Sequence, residues 1–324
     1  MEKNNKIKWG IIGLGNIAHQ FAADLSLIED AELNAVASTD INRASAFATQ
    51  HNSRSFYGSY EELLKDADVE IVYIATTHES HAEISILAMQ SGKHVLCEKP
   101  LSLSYHDALR ITEASKRYQR FFMEAFWTRF LPSMRELLAK VESGEIGEIK
   151  YVNADFAYYN RELNSRLTEK KLGGGALYDI GVYPLFLAYA TLGIPEEIMA
   201  KATYYSTGVD LQTTVILQYK AAQAVLHAGL TSGSDMKATV SGTNGRIDID
   251  RHWFMTESYS VIKNEVEEKF KIANIGKGYA HEAIECQECI RAGQLESKLW
   301  SHQNCLDLSK ITEEVKNQIG LKFE

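Results

Sequence analysis

The sequence has little cysteine, little proline and no surplus of positive charge. Four cysteines (Cys97, Cys286, Cys289 and Cys305) in 324 residues are too few for a disulfide framework. Lys and Arg total 34 against 43 Asp and Glu, a formal net charge of −9. With no basic block there is no footprint for a phosphate backbone, so no nucleic-acid partner is expected. The longest stretch without a charged side chain, Ile180 to Pro195, has 16 residues and holds two prolines. That is short of the ~20 apolar residues that span a bilayer, so no membrane partner is expected. Met1-Glu2-Lys3-Asn4-Asn5 opens no secretory signal, and the expectation is a soluble cytoplasmic protein.

What is present is an ordinary globular composition, 45% hydrophobic and 24% charged, with length enough for about two domains. Apolar runs at Ile7–Ile12, Leu33–Ser38, Ile71–Ala75 and Val95–Cys97 alternate with helical spacing over 16–27, 43–51, 80–91 and 104–118. This alternation predicts an α/β Rossmann domain with a parallel sheet over residues 1–125, its strand C-termini along one edge. From Phe126 the pattern changes. A helix over 132–143 precedes alternating strands at 149–156, 199–205, 210–219 and 222–230, then shorter ones at 236–241, 246–249 and 258–270. Helices over 279–292 and 305–319 close the chain. Residues 126–324 therefore read as an α+β C-terminal domain with a mainly antiparallel, open-faced sheet.

Gly13-Leu14-Gly15-Asn16-Ile17-Ala18 follows a strand and opens a helix, the context that gives a GxGxxA match its meaning. Gly13 permits the turn, Gly15 lets a pyrophosphate approach the backbone, and Ala18 keeps the helix close to the sheet. The cofactor implied is a dinucleotide. The position after the second strand that clamps a ribose 2′-OH falls on neutral Ser38, followed by Thr39, Asp40 and Arg43. A small hydroxyl with a nearby Arg suits a 2′-phosphate, so NADP is favoured over NAD, while Asp40 leaves the NAD alternative open.

Cys97-Glu98-Lys99-Pro100 ends a buried strand on the edge where the cofactor should lie. An ammonium there is costly unless paired or used, and partial desolvation fits it to proton exchange. Together with GxGxxA and the turn Ala75-Thr76-Thr77-His78-Glu79-Ser80-His81, this motif resembles the glucose–fructose oxidoreductase/inositol dehydrogenase (Gfo/Idh/MocA) family over essentially the whole chain. Met123-Glu124-Ala125-Phe126-Trp127-Thr128-Arg129-Phe130 and Gly173-Gly174-Gly175-Ala176-Leu177-Tyr178-Asp179-Ile180-Gly181-Val182-Tyr183 resemble its dimeric dihydrodiol dehydrogenase/D-xylose dehydrogenase branch. Tyr183 stands where inositol dehydrogenases carry histidine. The resemblance implies a homodimer, Lys99 beside nicotinamide and substrate, and cofactor contacts from Thr76, His78, His81 and Glu98 beside those from Gly13, Gly15, Asn16, Ile17, Ser38, Thr39 and Arg43.

Asp179 and Tyr183 are four apart, so on a helix opening near Ala176 they share a face. Gly173–Gly175 would let the start of that helix approach the other domain. A phenol beside an ammonium is a proton relay, with Lys99 lowering the cost of phenolate and Asp179 holding Lys99 charged. Trp127, Arg129 and Phe156 are candidate substrate contacts, with packing the alternative for each. Cys286-Gln287-Glu288-Cys289 lies in a helical segment with no second pair, so no metal is expected. The expected function is NAD(P)-dependent hydride transfer to or from a carbinol of an aldose, polyol or trans-dihydrodiol. The alternatives are a redox-neutral, NAD-dependent glycoside hydrolase and a non-catalytic NAD(P)-sensing protein.

Overall fold

Strand β1 (Ile7–Ile12) buries Trp9, Ile11 and Ile12 completely, because a parallel strand covered on both faces needs a continuous apolar run. The computed structural model describes residues 6–161 and 166–323; Met1–Asn5, where the absence of a secretory signal was read, lie outside the described residues. After β1 come α1 (Asn16–Leu25), β2 (Ala31–Ala37), α2 (Ile41–His51), β3 (Ser55–Tyr57), α3 (Tyr60–Leu64), β4 (Ile71–Ile74), α4 (His81–Gln90), β5 (His94–Glu98), α5 (Tyr105–Tyr118) and β6 (Phe122–Ala125). Among the described residues these strands form one parallel sheet in the order β3-β2-β1-β4-β5-β6. The order reverses between β1 and β4, where open α/β sheets bind their ligands beyond the strand C-termini.

The second sheet and the helices that accompany it follow as α6 (Pro132–Glu142), β7 (Ile149–Ala157), α7 (Val182–Leu192), β8 (Glu197–Tyr204), β9 (Asp210–Gln218), β10 (Gln223–Gly229), β11 (Ala238–Gly242), β12 (Gly245–Ile249), β13 (Ser258–Lys263) and β14 (Val266–Lys271). Its order among the described residues is β14-β13-β12-β11-β7-β10-β9-β8, antiparallel except where β7 and β10 pair in parallel. Val152, Ala154, Ala224, Leu226, Val215 and Leu217 are buried on one face. In register on the other face lie Asn153, Val225, Ile216 and Met199, and Met199 is exposed. One helical stretch, 170–192, is long and apolar enough to cross a membrane, but most of it is buried as a core helix.

Along the chain path the residues group differently from the division expected at residue 125. One compact unit runs up to Phe130 and also takes Asn274–Leu306; the other holds Leu131–Ala273 and residues from Asp307 on. The cause is α8 (Tyr279–Arg291). In the first unit the buried Asp24 of α1 accepts the backbone N–H of Lys277 (2.9 Å) and of Tyr279 (2.9 Å). Tyr279 also stacks on Trp127, with centroids 4.7 Å apart, and the Trp9 indole donates to Gln287 at 3.2 Å. The end of α9 (His302–Gln318) is held in the second unit, where Gln318 donates to the Ile198 carbonyl at 2.6 Å.

Candidate active site

The loop after β1 has the shape a pyrophosphate requires. Gly13 lies at φ +86°, and a Cβ there would meet the Ala75 carbonyl at 2.8 Å; only glycine fits. A Cβ on Gly15 would meet nothing within 4 Å. Gly15 caps α1 without a side-chain hydrogen bond, and the first turn carries no acidic residue. The N–H groups there are open to an anion and aided by the helix dipole. Asn16 is exposed and Ile17 half-buried, while Ala18 is fully buried against the sheet. These residues fit a dinucleotide.

The turn after β2 fits the ribose end. Ser38 is buried, and its hydroxyl accepts from the Asp40 N–H at 3.2 Å. Asp40 is the N-cap of α2, its Oδ1 accepting from Asn42 N at 2.9 Å and Arg43 N at 3.4 Å. Capping uses Oδ1 of this exposed carboxylate, and Thr39 and Arg43 beside it are exposed.

Lys99 follows β5 directly, is half-buried, and is joined to Pro100 by a cis peptide. The buried Glu98 turns inward: its Oε1 accepts from the Tyr73 hydroxyl at 2.5 Å and its Oε2 from Lys99 N at 3.2 Å. His81 is fully buried, with Nδ1 at 2.9 Å from the Pro100 carbonyl and Nε2 at 3.2 Å from the Thr76 carbonyl. Burial lowers its pKa. Neutral, the ring has one N–H to donate, so it bonds one of these carbonyls and packs against the other, between the loops after β4 and β5. Thr76 is half-buried and its hydroxyl accepts from Ser80 at 2.8 Å; His78 is buried in a short 3₁₀ turn.

In the second unit, a π-helical turn over Leu177–Gly181 runs into α7. Asp179 lies in that turn and Tyr183 in the first turn of α7, a departure from the regular α-helix expected near Ala176. Such π turns are frequent at functional sites. The Tyr183 ring is buried, with centroids 5.5 Å from both Phe156 and Phe254, which stack on each other at 3.9 Å. Asp179 pairs with Arg166 (3.1 Å). The glycine run was expected to meet the other domain. Within this unit, a Cβ on Gly174 would lie 2.6 Å from the Leu167 carbonyl, and one on Gly175 2.2 Å from Asp210 Oδ1.

Trp127 is buried and stacked on Tyr279, so its indole packs against α8, while Arg129 is half-buried. Asp210 and Phe254 escaped the sequence reading because each lies far along the chain from the motif it touches, and Arg166, 13 positions before Asp179, because no local pattern pairs the two. A fourth was the buried Glu282 of α8, whose carboxyl has no hydrogen-bond partner and is pushed well up, first by burial and then by the charges of Glu98 and Asp24. Among the described residues no group of His, Cys, Asp and Glu is arranged to hold a metal ion.

Residues 7–126 match the oxidoreductase family with an NAD-binding Rossmann fold, and residues 134–248 match the GFO/IDH/MocA C-terminal domain. The chain belongs to the GFO/IDH/MocA oxidoreductase family, and it is an oxidoreductase with an NAD(P)-binding domain. It is 35% identical to a trans-1,2-dihydrobenzene-1,2-diol dehydrogenase of Xenopus tropicalis, covering 98% of this chain and 99% of that one. The enzyme of the same name from Homo sapiens is 34% identical over 98% of each chain. The fold is also similar to KijD10, a 3-ketoreductase from Actinomadura kijaniata solved with NADP and TDP-benzene, at TM-score 0.87 and 25% identity over 97% and 98% of the chains.

Proposed function

We propose that the protein is an NADP-preferring dehydrogenase of a neutral carbinol, of the trans-dihydrodiol, aldose or polyol class. The observation that carries the reading is Lys99 at the end of β5, on the same sheet edge as an α1 N-terminus left open for pyrophosphate. Full-length similarity to trans-dihydrodiol dehydrogenases supports the substrate class. The apolar wall of Phe156 and Phe254 around Tyr183 suits an unsaturated ring carbon, and the net charge of −9 gives anionic substrates no advantage.

The bound cofactor supplies the hydride acceptor. Gly13, Gly15, Asn16 and Ile17 hold its pyrophosphate, and Ser38, Thr39 and Arg43 its ribose 2′-phosphate. Thr76 and His78 line its path, while His81 and Glu98 order the loops that carry it. Tyr183 takes the hydroxyl proton at its phenol oxygen, and Lys99 stabilises the negative charge that proton transfer needs. Asp179 orients this pair, and Arg129 and Phe156 contact substrate. Structures of KijD10 include variants in which one lysine or one tyrosine is replaced, in line with such a pair. The uncovered sheet face bearing Met199 and Ile216 suits a second copy of the chain. The four cysteines, all free and buried, suit the cytoplasm.

Lys99→Met tests the reading. Turnover should fall at least 100-fold with cofactor affinity within about threefold; unchanged turnover would overturn it.

A further inference from the structure

Asp210, the first residue of β9, is completely buried. Its Oδ2 accepts the Leu177 N–H at 2.8 Å and the Thr213 hydroxyl at 2.6 Å. Leu177 opens the π-helical turn that contains Asp179 and leads into Tyr183. The other oxygen, Oδ1, faces Gly175, which sits at φ +113°; a Cβ there would come within 2.2 Å of it. Burial raises the pKa of the carboxyl, and the two hydrogen bonds oppose that rise.

We propose that Asp210 is a positioning residue for the reaction: it fixes the start of the helix that presents Asp179 and Tyr183, through a seat that only glycine at 175 leaves open. This rests on the reading of Tyr183 and Asp179 given above. The physical case is local. A helix start leaves N–H groups without intrahelical partners, and a carboxylate accepting one of them also complements the helix dipole. A π turn bonds i to i+5 and is less regular than the α-helix it precedes, so a fixed point at its first residue decides where the following side chains fall. Shifts of about 1 Å at a reacting group are costly in rate. The sheet supplies that fixed point, because Asp210 is itself paired in register with Tyr204 of β8.

The chemistry makes a distinction between two substitutions. Asp210→Asn keeps a carbonyl oxygen for the Leu177 N–H and the Thr213 hydroxyl, and places its amide where Oδ1 faced Gly175. Asp210→Ala removes the acceptor. The experiment measures kcat, KM for NADP and thermal melting for both variants, with Tyr183→Phe beside them. Expected are a loss of kcat of at least tenfold in Asp210→Ala with KM for NADP within about twofold, and kcat within about threefold of the parent in Asp210→Asn. Full kcat in a folded Asp210→Ala, while Tyr183→Phe loses activity, overturns the inference and leaves the site reading standing. Full kcat in Tyr183→Phe overturns both. Should Asp210→Ala not fold, Thr213→Val decides, since it removes one of the two donors to Oδ2: a several-fold loss of kcat at unchanged KM for NADP supports the inference, and full kcat overturns it.

Discussion

Arg166 and Asp179 form an ion pair, with Nη2 and Oδ1 3.1 Å apart and the arginine half-exposed. The sequence reading gave Asp179 a single counter-charge, Lys99. The guanidinium holds the carboxylate from within its own unit, by a residue seven positions before Gly173. An exposed pair contributes roughly 0–1 kcal/mol. Arg166→Met should therefore lower kcat by no more than about fivefold, whereas Asp179→Ala should lower it by well over tenfold. Equal losses in steady-state assays would show that the guanidinium carries a larger share than its exposure implies.

The two glycines of the phosphate cradle should fail differently when replaced. Gly13→Ala forces a side chain into a left-handed backbone and against the Ala75 carbonyl, and should cost about 2 kcal/mol of stability or more. Gly15→Ala adds a methyl to open space at an ordinary φ of −85°. It should melt as the parent does but bind NADPH at least about tenfold more weakly, because the methyl lies where the pyrophosphate approaches. Melting curves and fluorescence titration separate the two effects.

Arg43 should set the cofactor choice. A charge-assisted contact to a 2′-phosphate contributes about 1.5–3 kcal/mol. Arg43→Ala should then raise KM for NADP by about tenfold or more and leave KM for NAD within twofold. Parallel steady-state assays with both cofactors check it; equal changes would remove Arg43 from the ribose end.

His94 gives the fold an acid-sensitive point. Its Nδ1 accepts from the Phe121 N–H at 2.9 Å, so the ring must be neutral there, and burial followed by the charge of Arg120 lowers its pKa to about 4. The unfolded chain takes up this proton near pH 6.5 and the folded protein only near 4. The contribution is thus complete above about pH 6.5 and lost as pH falls through that window. With the ring partly exposed, its size is on the order of 2 kcal/mol. His94→Asn keeps an acceptor that does not titrate. Urea unfolding at pH 7.5 and 4.5 should show a smaller acid loss in the variant, and the same loss in both would contradict the assignment.

The sequence made the first sheet legible because buried parallel strands write themselves as apolar runs and the glycine cradle sits at a strand end. It missed β3, whose three residues Ser55–Tyr57 at the sheet edge are too few for a pattern. It read 258–270 as one strand, although Asn264 and Glu265, at φ 51° and 62°, turn the chain between β13 and β14. Asn264 is a residue that tolerates positive φ, but Glu265 stands where a hairpin signal would carry Gly. The return of α8 to the first unit left no trace, because Asp24 and Lys277 are 253 positions apart and nothing in either segment names the other. The same holds for Asp210 beneath Gly175. Lys99 and Tyr183 were legible only as motifs, and the aromatic wall around Tyr183 came from the fold.

The central claim is that this chain oxidises a neutral carbinol with NADP through Lys99 and Tyr183. The most direct test is cofactor reduction by the purified protein, with NADP and NAD supplied separately, against a trans-dihydrodiol, D-xylose, other aldoses and polyols, with Lys99→Met alongside. Turnover with at least one of these substrates, faster with NADP and abolished by Lys99→Met, is the predicted result. Cofactor that binds but is not reduced by any of them would contradict the account and favour a redox-neutral hydrolase or a cofactor sensor.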